Sequence, residues 1–108
     1  MLLPRDHLRA QTAFALRRSR KLEELLRELR SSGPLTEVEL WGRLRVSRHR
    51  LRCILFGDGV LHHPERAAIP LGLVVRERSP RGIEVHLTEL GAHEAALVAA
   101  ARREGRGI

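Results

Sequence analysis

Two helix-start signals follow one another so closely in LTEVELWGRLRVSRHRLRCIL, residues 35–55, that they dictate the shape of the middle of the chain. Thr36 with Glu39 forms a capping box, in which each side chain takes up a backbone N–H at the head of a helix, and Leu35 with Leu40 makes the hydrophobic staple across it. Val46, Ser47 and Leu51 repeat the arrangement, with Ser47 as N-cap and Leu51 at the fourth helical position. The first helix is therefore short, with Leu40, Trp41 and Leu44 as its buried face. Helices joined by so few residues cannot pack antiparallel and must cross steeply, as a helix-turn-helix does.

The second helix is charged where a helix is least suited to it. On a helix starting at Arg48, Leu51, Ile54 and Leu55 fall on one side, His49, Arg52 and Cys53 face away, and Arg48 and Arg50 flank them. From Leu40 to Gly57 there are five arginines and no acid. Cations in a first turn are opposed by the macrodipole, by a few tenths to about 1 kcal/mol each when exposed. The arrangement becomes favourable when an external anion meets the free N–H groups and the guanidiniums together. The same run also suits a plain solvated face in an Arg-rich protein.

The flanks supply further elements. From Asp6 to about Arg30 the composition is strongly helical, with Leu22, Leu25, Leu26 and Leu29 as an apolar face. It forms either one long bent helix or two broken near Ser19, ended by Gly33 and Pro34. After Phe56 a loop, HHPERAAIPLG, offers a short helical turn starting at Pro64. GLVVRE, RSPRG and IEVHLT then predict a two-stranded hairpin over 72–88, turning at Pro80 and Gly82, with Arg78 and Arg81 at its tip. An Ala-rich helix over 89–104 follows, with Leu90, Leu97, Val98 and Ala101 as its stripe and Gly91 weakening its first turn. All 108 residues make one domain, mainly α with a small β-hairpin.

This order of elements, carried by LTEVELWGRLRVSRHRLRCIL at 35–55 and GLVVRERSPRGIEVHLTELG at 72–91, resembles the winged helix-turn-helix transcriptional regulators, most closely the MarR and PadR-like types. LTELG matches the LT, two residues, Gly signature common in that group. The chain differs in having Arg45 where the family's turn usually has Gly, and Trp41 and then Gly42 where a small residue is usual. It also inserts GDGVLHHPERAAIP after the second helix, as Cro and repressor-type proteins do.

The resemblance implies a winged helix (α+β) with a helix-turn-helix over 36–56, a wing over 72–88, and terminal helices at 6–30 and 89–104 that pair into a homodimer. Its partner is then double-stranded DNA, read as an inverted repeat with half-sites about one helical turn apart. Ser47 caps the recognition helix, and Arg48, His49, Arg50 and Arg52 supply groove and phosphate contacts. Arg43 and Arg45 touch the backbone, and Arg78 and Arg81 act from the wing.

Composition limits the alternatives. A net charge of +7 suits a polyanion, nucleic acid or anionic membrane, although nineteen of the twenty cations are Arg, which genome composition or heat adaptation also produces. The single Cys53 excludes an internal disulfide, no apolar run nears the roughly 18 residues of a membrane helix, and a cytoplasmic protein without cofactor is expected. His62, His63 and Glu65, with Cys53, His86 or His93, lack metal-ligand spacing. Cys53 is either a buried helix cysteine or, beside Arg50 and Arg52, a redox sensor. No phosphate loop, acid pair or nucleophile with a base points to an enzyme, and two Phe, one Trp and no Tyr leave few stacking platforms for single-stranded RNA. The competing function is a winged-helix module that binds an acidic protein in an assembly.

Overall fold

Four leucines at helical spacing, Leu22, Leu25, Leu26 and Leu29, form the floor on which the rest of the chain is assembled. The computed structural model of the chain describes Leu16, residues 19–57 and residues 67–103. Helix α1 (Arg20–Ser32) begins at Ser19, whose hydroxyl accepts the N–H of Leu22 at 3.1 Å, and the rest of the helical stretch expected upstream of it lies, Leu16 apart, outside the described residues. It ends at Gly33, whose φ of 75° lies in the region that favours glycine and whose N–H reaches Leu29 O.

Strand β1 (Leu35–Thr36) leads directly into α2 (Glu37–Leu44), and a tight turn at Arg45 separates α2 from α3 (Arg48–Phe56). The hairpin is β2 (Val74–Ser79) and β3 (Gly82–Leu87), and α4 (Glu89–Arg103) follows. The described residues therefore form an α+β fold of four helices and one antiparallel sheet of order β1-β3-β2. The hairpin expected to be two-stranded has gained a third strand, because Leu35 pairs with Val85 and Thr36 with Glu84. Capping geometry at Thr36 leaves its backbone extended, which is what strand pairing needs.

The core is continuous. The α1 leucines meet Leu40 and Leu44 of α2, Leu51, Ile54 and Leu55 of α3, Leu71 and Leu73 of the preceding loop, Val74 and Val85 of the sheet, and Ala95 and Val98 of α4. Burying each large aliphatic side chain contributes about 1.5–3 kcal/mol. Three on α3 thus outweigh the few kcal/mol at most by which its first-turn cations oppose the macrodipole. The C-terminal end of α3 is satisfied by the returning loop, since the N–H groups of Ala68 and Ile69 donate to Ile54 O and Leu55 O, both at 2.9 Å. Lys21, the sole lysine, donates to Leu44 O at 2.8 Å and so closes the end of α2.

Three expected placements are corrected. Cys53 is buried at 5% exposure rather than facing away, because the short α3 is covered on two sides. Trp41 is half-buried, leaving Leu40 and Leu44 as the buried face of α2. Leu97 is 44% exposed, and the inward side of α4 is Gly91, Glu94, Ala95 and Val98. The turn expected at Pro64 lies outside the described residues.

The LTELG motif has a local explanation. Thr88 N–H donates to Leu73 O at 3.0 Å, and the Thr88 hydroxyl accepts the N–H of Gly91 at 2.9 Å, which starts α4 against the strand entering the hairpin. At Gly91 a Cβ would stand 1.9 Å from Leu73 O, inside a backbone that cannot move away. Gly42, in contrast, has open space around its Cβ position. Gly91→Ala is therefore expected to destabilise by about 3 kcal/mol or more, and Gly42→Ala to stabilise by about 0.5–1 kcal/mol. Urea unfolding of the two variants checks both signs.

Candidate functional site

Helix α3 starts on Ser47, whose hydroxyl accepts the N–H of Arg50 at 3.0 Å while its carbonyl accepts the N–H of Leu51. Arg48, His49 and Arg50 are exposed in that first turn, and the helix has no acid there. Among the described residues no carboxylate lies within ion-pair distance of Arg45, Arg48, Arg50 or Arg78. From α2 to the hairpin these four guanidiniums are the ones open to an external anion, while Arg20, Arg27 and Arg30 of α1 are exposed and equally without a carboxylate partner among the described residues.

Arg45 holds an unusual backbone. Its φ of 55° and ψ of 48° are left-handed, and it alone among the non-glycine described residues has positive φ. Its N–H donates to Gly42 O at 3.3 Å and the next N–H, of Val46, to Trp41 O at 3.1 Å, which closes α2 as a Schellman motif does. A side chain in this conformation costs about 1–2 kcal/mol that glycine would not incur. The strain is kept at an exposed arginine two residues before the Ser47 cap of α3.

The remaining expected cations are engaged. Arg43 donates to Ser32 Oγ at 2.9 Å and reaches Glu28 at 3.5 Å, on the α1 side of the turn. Arg81, at the hairpin tip, is paired with Glu39 and lies 3.8 Å from Glu84. The tip is a two-residue loop, Pro80 and Arg81, between the paired Ser79 and Gly82. Arg52 is 4.0 Å from Glu37 and its guanidinium lies 5.2 Å from the centre of the Phe56 ring.

Arg76 is the residue that sequence reasoning passed over. Its Nε and Nη2 donate to Glu37 Oε2 at 2.9 and 2.7 Å, and its guanidinium lies 5.1 Å from the same Phe56 ring. Pairing Val74 with Leu87, Arg76 with Val85 and Arg78 with Ile83 sets all six on one face of the hairpin, so both arginines project from the apolar side. Strict alternation along Val74, Arg76 and Arg78 carries that signal. A cleft of about 530 Å³ results between α2, the start of α3 and the hairpin, with Val38, Trp41 and Ile83 as its apolar lining and Glu37, Arg48, Arg52, Arg76 and Arg81 as its charged lining.

Cys53 Sγ lies 3.6 Å from His49 Nε2, one turn earlier on α3. His86 stands between Glu77 at 3.8 Å and Glu84 at 3.7 Å on the hairpin face away from the core. Among the described residues no group of three or more His, Cys, Asp or Glu could hold a metal ion, while His62, His63 and Glu65 lie outside them. No helix of the described residues is long and apolar enough to cross a membrane. Comparison with protein-family models, curated proteins and solved structures finds no match to this chain.

Two measurements follow from the geometry. Arg45→Gly removes the left-handed strain but loosens the unfolded chain, so a net gain of about 0.5–1 kcal/mol is expected in denaturant unfolding. The second concerns Glu39. The Thr36 backbone N–H and then the Thr36 hydroxyl, against desolvation and assisted by Arg81, hold its carboxyl below the ordinary carboxylate range. A depressed folded pKa stabilises above the unfolded value and the contribution is lost as pH falls through the folded one. Glu39→Gln should therefore flatten the loss of stability on acidification, read from melting temperatures across the acid range.

Proposed function

We propose that this chain is a winged helix-turn-helix regulator that binds double-stranded DNA as a homodimer, with α3 in the major groove and the β2–β3 hairpin as the wing against backbone or minor groove. The observation that carries this reading is the open first turn of α3, where Arg48, His49 and Arg50 are exposed beside a Ser-capped helix N-terminus and neither arginine has a carboxylate partner among the described residues. The α1-β1-α2-α3-β2-β3-α4 order and the β1-β3-β2 sheet support it, since a winged helix arranges its elements this way. Strain retained at Arg45 supports it as well.

Roles can be assigned by what each side chain is free to do. Arg48, His49 and Arg50 read the groove and its phosphates, and Arg45 meets the backbone at the turn. Arg78 meets phosphate from the wing, and Arg81 does so by exchanging Glu39 for it. Arg43, held by Ser32 and Glu28, serves the backbone from the edge of the site. The exposed Leu97 on α4 is the apolar surface that a second copy would cover. The protein acts in the cytoplasm, as a DNA-binding regulator of this type would.

A second reading is favoured by Val38, which is 61% exposed at the cleft beside Trp41 and the arginines. An acidic peptide with an apolar side chain would fit such a surface, and the chain would then be an interaction module. Selection of bound duplexes from a random pool separates the two. The DNA reading expects a two-fold symmetric motif, and Arg48→Ala or Arg50→Ala is expected to weaken binding and lower the salt slope by about one contact each. Failure to bind any duplex at low salt, with recovery of an acidic protein partner, would overturn it.

A further inference from the structure

The head of α2 faces the same cleft as the arginines of α3 and the hairpin, and it carries Glu37. That carboxylate is only 15% exposed and meets two cations from opposite walls, Arg76 of β2 at 2.7 Å and Arg52 of α3 at 4.0 Å. Both guanidiniums also lie over the Phe56 ring, at 5.1 and 5.2 Å. An aromatic ring holds a guanidinium by its face whatever anion the N–H groups meet. The ring therefore keeps both cations at the cleft independently of Glu37.

Glu37 does not need these arginines to be favourable where it is. It lies in the first turn of α2, where the macrodipole already stabilises an acid. A carboxylate and a phosphate offer the guanidinium fork the same kind of acceptor. Both guanidiniums of these pairs remain partly open to water, so a phosphate arriving with the charge density of a duplex behind it can take the place of the carboxylate.

We propose that Glu37 is an internal substitute for phosphate: it occupies Arg76, and more loosely Arg52, in the free protein and yields them when a DNA phosphate enters the cleft between α3 and the hairpin. This inference rests on the DNA-binding reading and adds a residue that governs its strength. Glu37 weakens binding to any duplex, because part of every encounter is spent displacing it. Arg76 becomes a phosphate contact of the bound state although the free structure holds it in an ion pair.

The test measures affinity by fluorescence anisotropy as a function of salt, on the full chain and on a duplex recovered by selection. Glu37→Gln keeps the acceptor and the shape but removes the charge. It is expected to tighten binding about fivefold at an unchanged salt slope, because Arg76 meets the phosphate in both complexes. Glu89→Gln, at the far end of the hairpin from its tip, makes the same change in net charge and should leave the affinity close to that of the native protein. Adding Arg76→Gln to Glu37→Gln should abolish the gain. Should thermal melting show that Glu37→Gln does not fold, Arg76→Gln alone decides the question, since it must lower the slope by about one contact. Equal or weaker binding by folded Glu37→Gln overturns the proposal while leaving DNA binding intact, as does an equal gain from Glu89→Gln or an unchanged slope in Arg76→Gln. Absence of binding by both the native protein and Glu37→Gln overturns this proposal and the DNA-binding reading together.

Discussion

Everything at the charged surface depends on how α3 is seated. Leu51 and Leu55 have no exposed surface and Ile54 very little, and the α1 leucines close the core beneath them. That burial is what allows Arg48, His49 and Arg50 to stand together at a helix end whose own dipole disfavours them. The returning loop completes the seat, with the N–H groups of Ala68 and Ile69 on the last carbonyls of α3. A helix of nine residues would not hold its shape in water alone. Its direction is thus a property of the core, and its charge can be given over to an outside partner.

The hairpin is attached to this arrangement at both ends. At its base, Thr88 bonds to the Leu73 backbone, and the bare Cα of Gly91 lets α4 pass that strand closely. Towards its tip, Arg76 and Arg81 reach the two acids in the first turn of α2, Glu37 and Glu39. Those acids have a double position: they stabilise α2 through its dipole and they neutralise cations that would otherwise face the cleft. The protein therefore divides its described arginines from α2 to the hairpin into two sets. Arg45, Arg48, Arg50 and Arg78 are open among the described residues, and Arg43, Arg52, Arg76 and Arg81 are held by carboxylates of the same chain. An account of the surface from net charge alone would count both sets equally.

What was legible beforehand was local. Thr36 and Ser47 announce their helices because an N-cap needs only a hydroxyl within three residues of the N–H it accepts, and both cap as expected. Pro80 and Gly82 mark the hairpin turn for the same reason. The misplacements came where neighbours distant in sequence decide. Cys53 sits on the flank a helical wheel turns outward, yet it is buried, and Leu97 stands exposed although Val98 of the same expected stripe is in the core. Strand β1 was hidden inside a capping signal, since a cap already leaves Thr36 extended and only pairing with Val85 and Glu84 makes a strand of it.

The sequence by itself determined the positions of the helix starts, the turn between α2 and α3, and the concentration of arginine around it, because capping, staple and turn geometry act within a few residues. Only the tertiary structure decided which of those arginines are available. Arg76 and Glu37 are 39 positions apart and Arg81 and Glu39 are 42 apart, so their pairing required the sheet to bring the hairpin over α2. Charge is written residue by residue along a chain, but its neutralisation depends on distances of a few ångströms that folding alone creates.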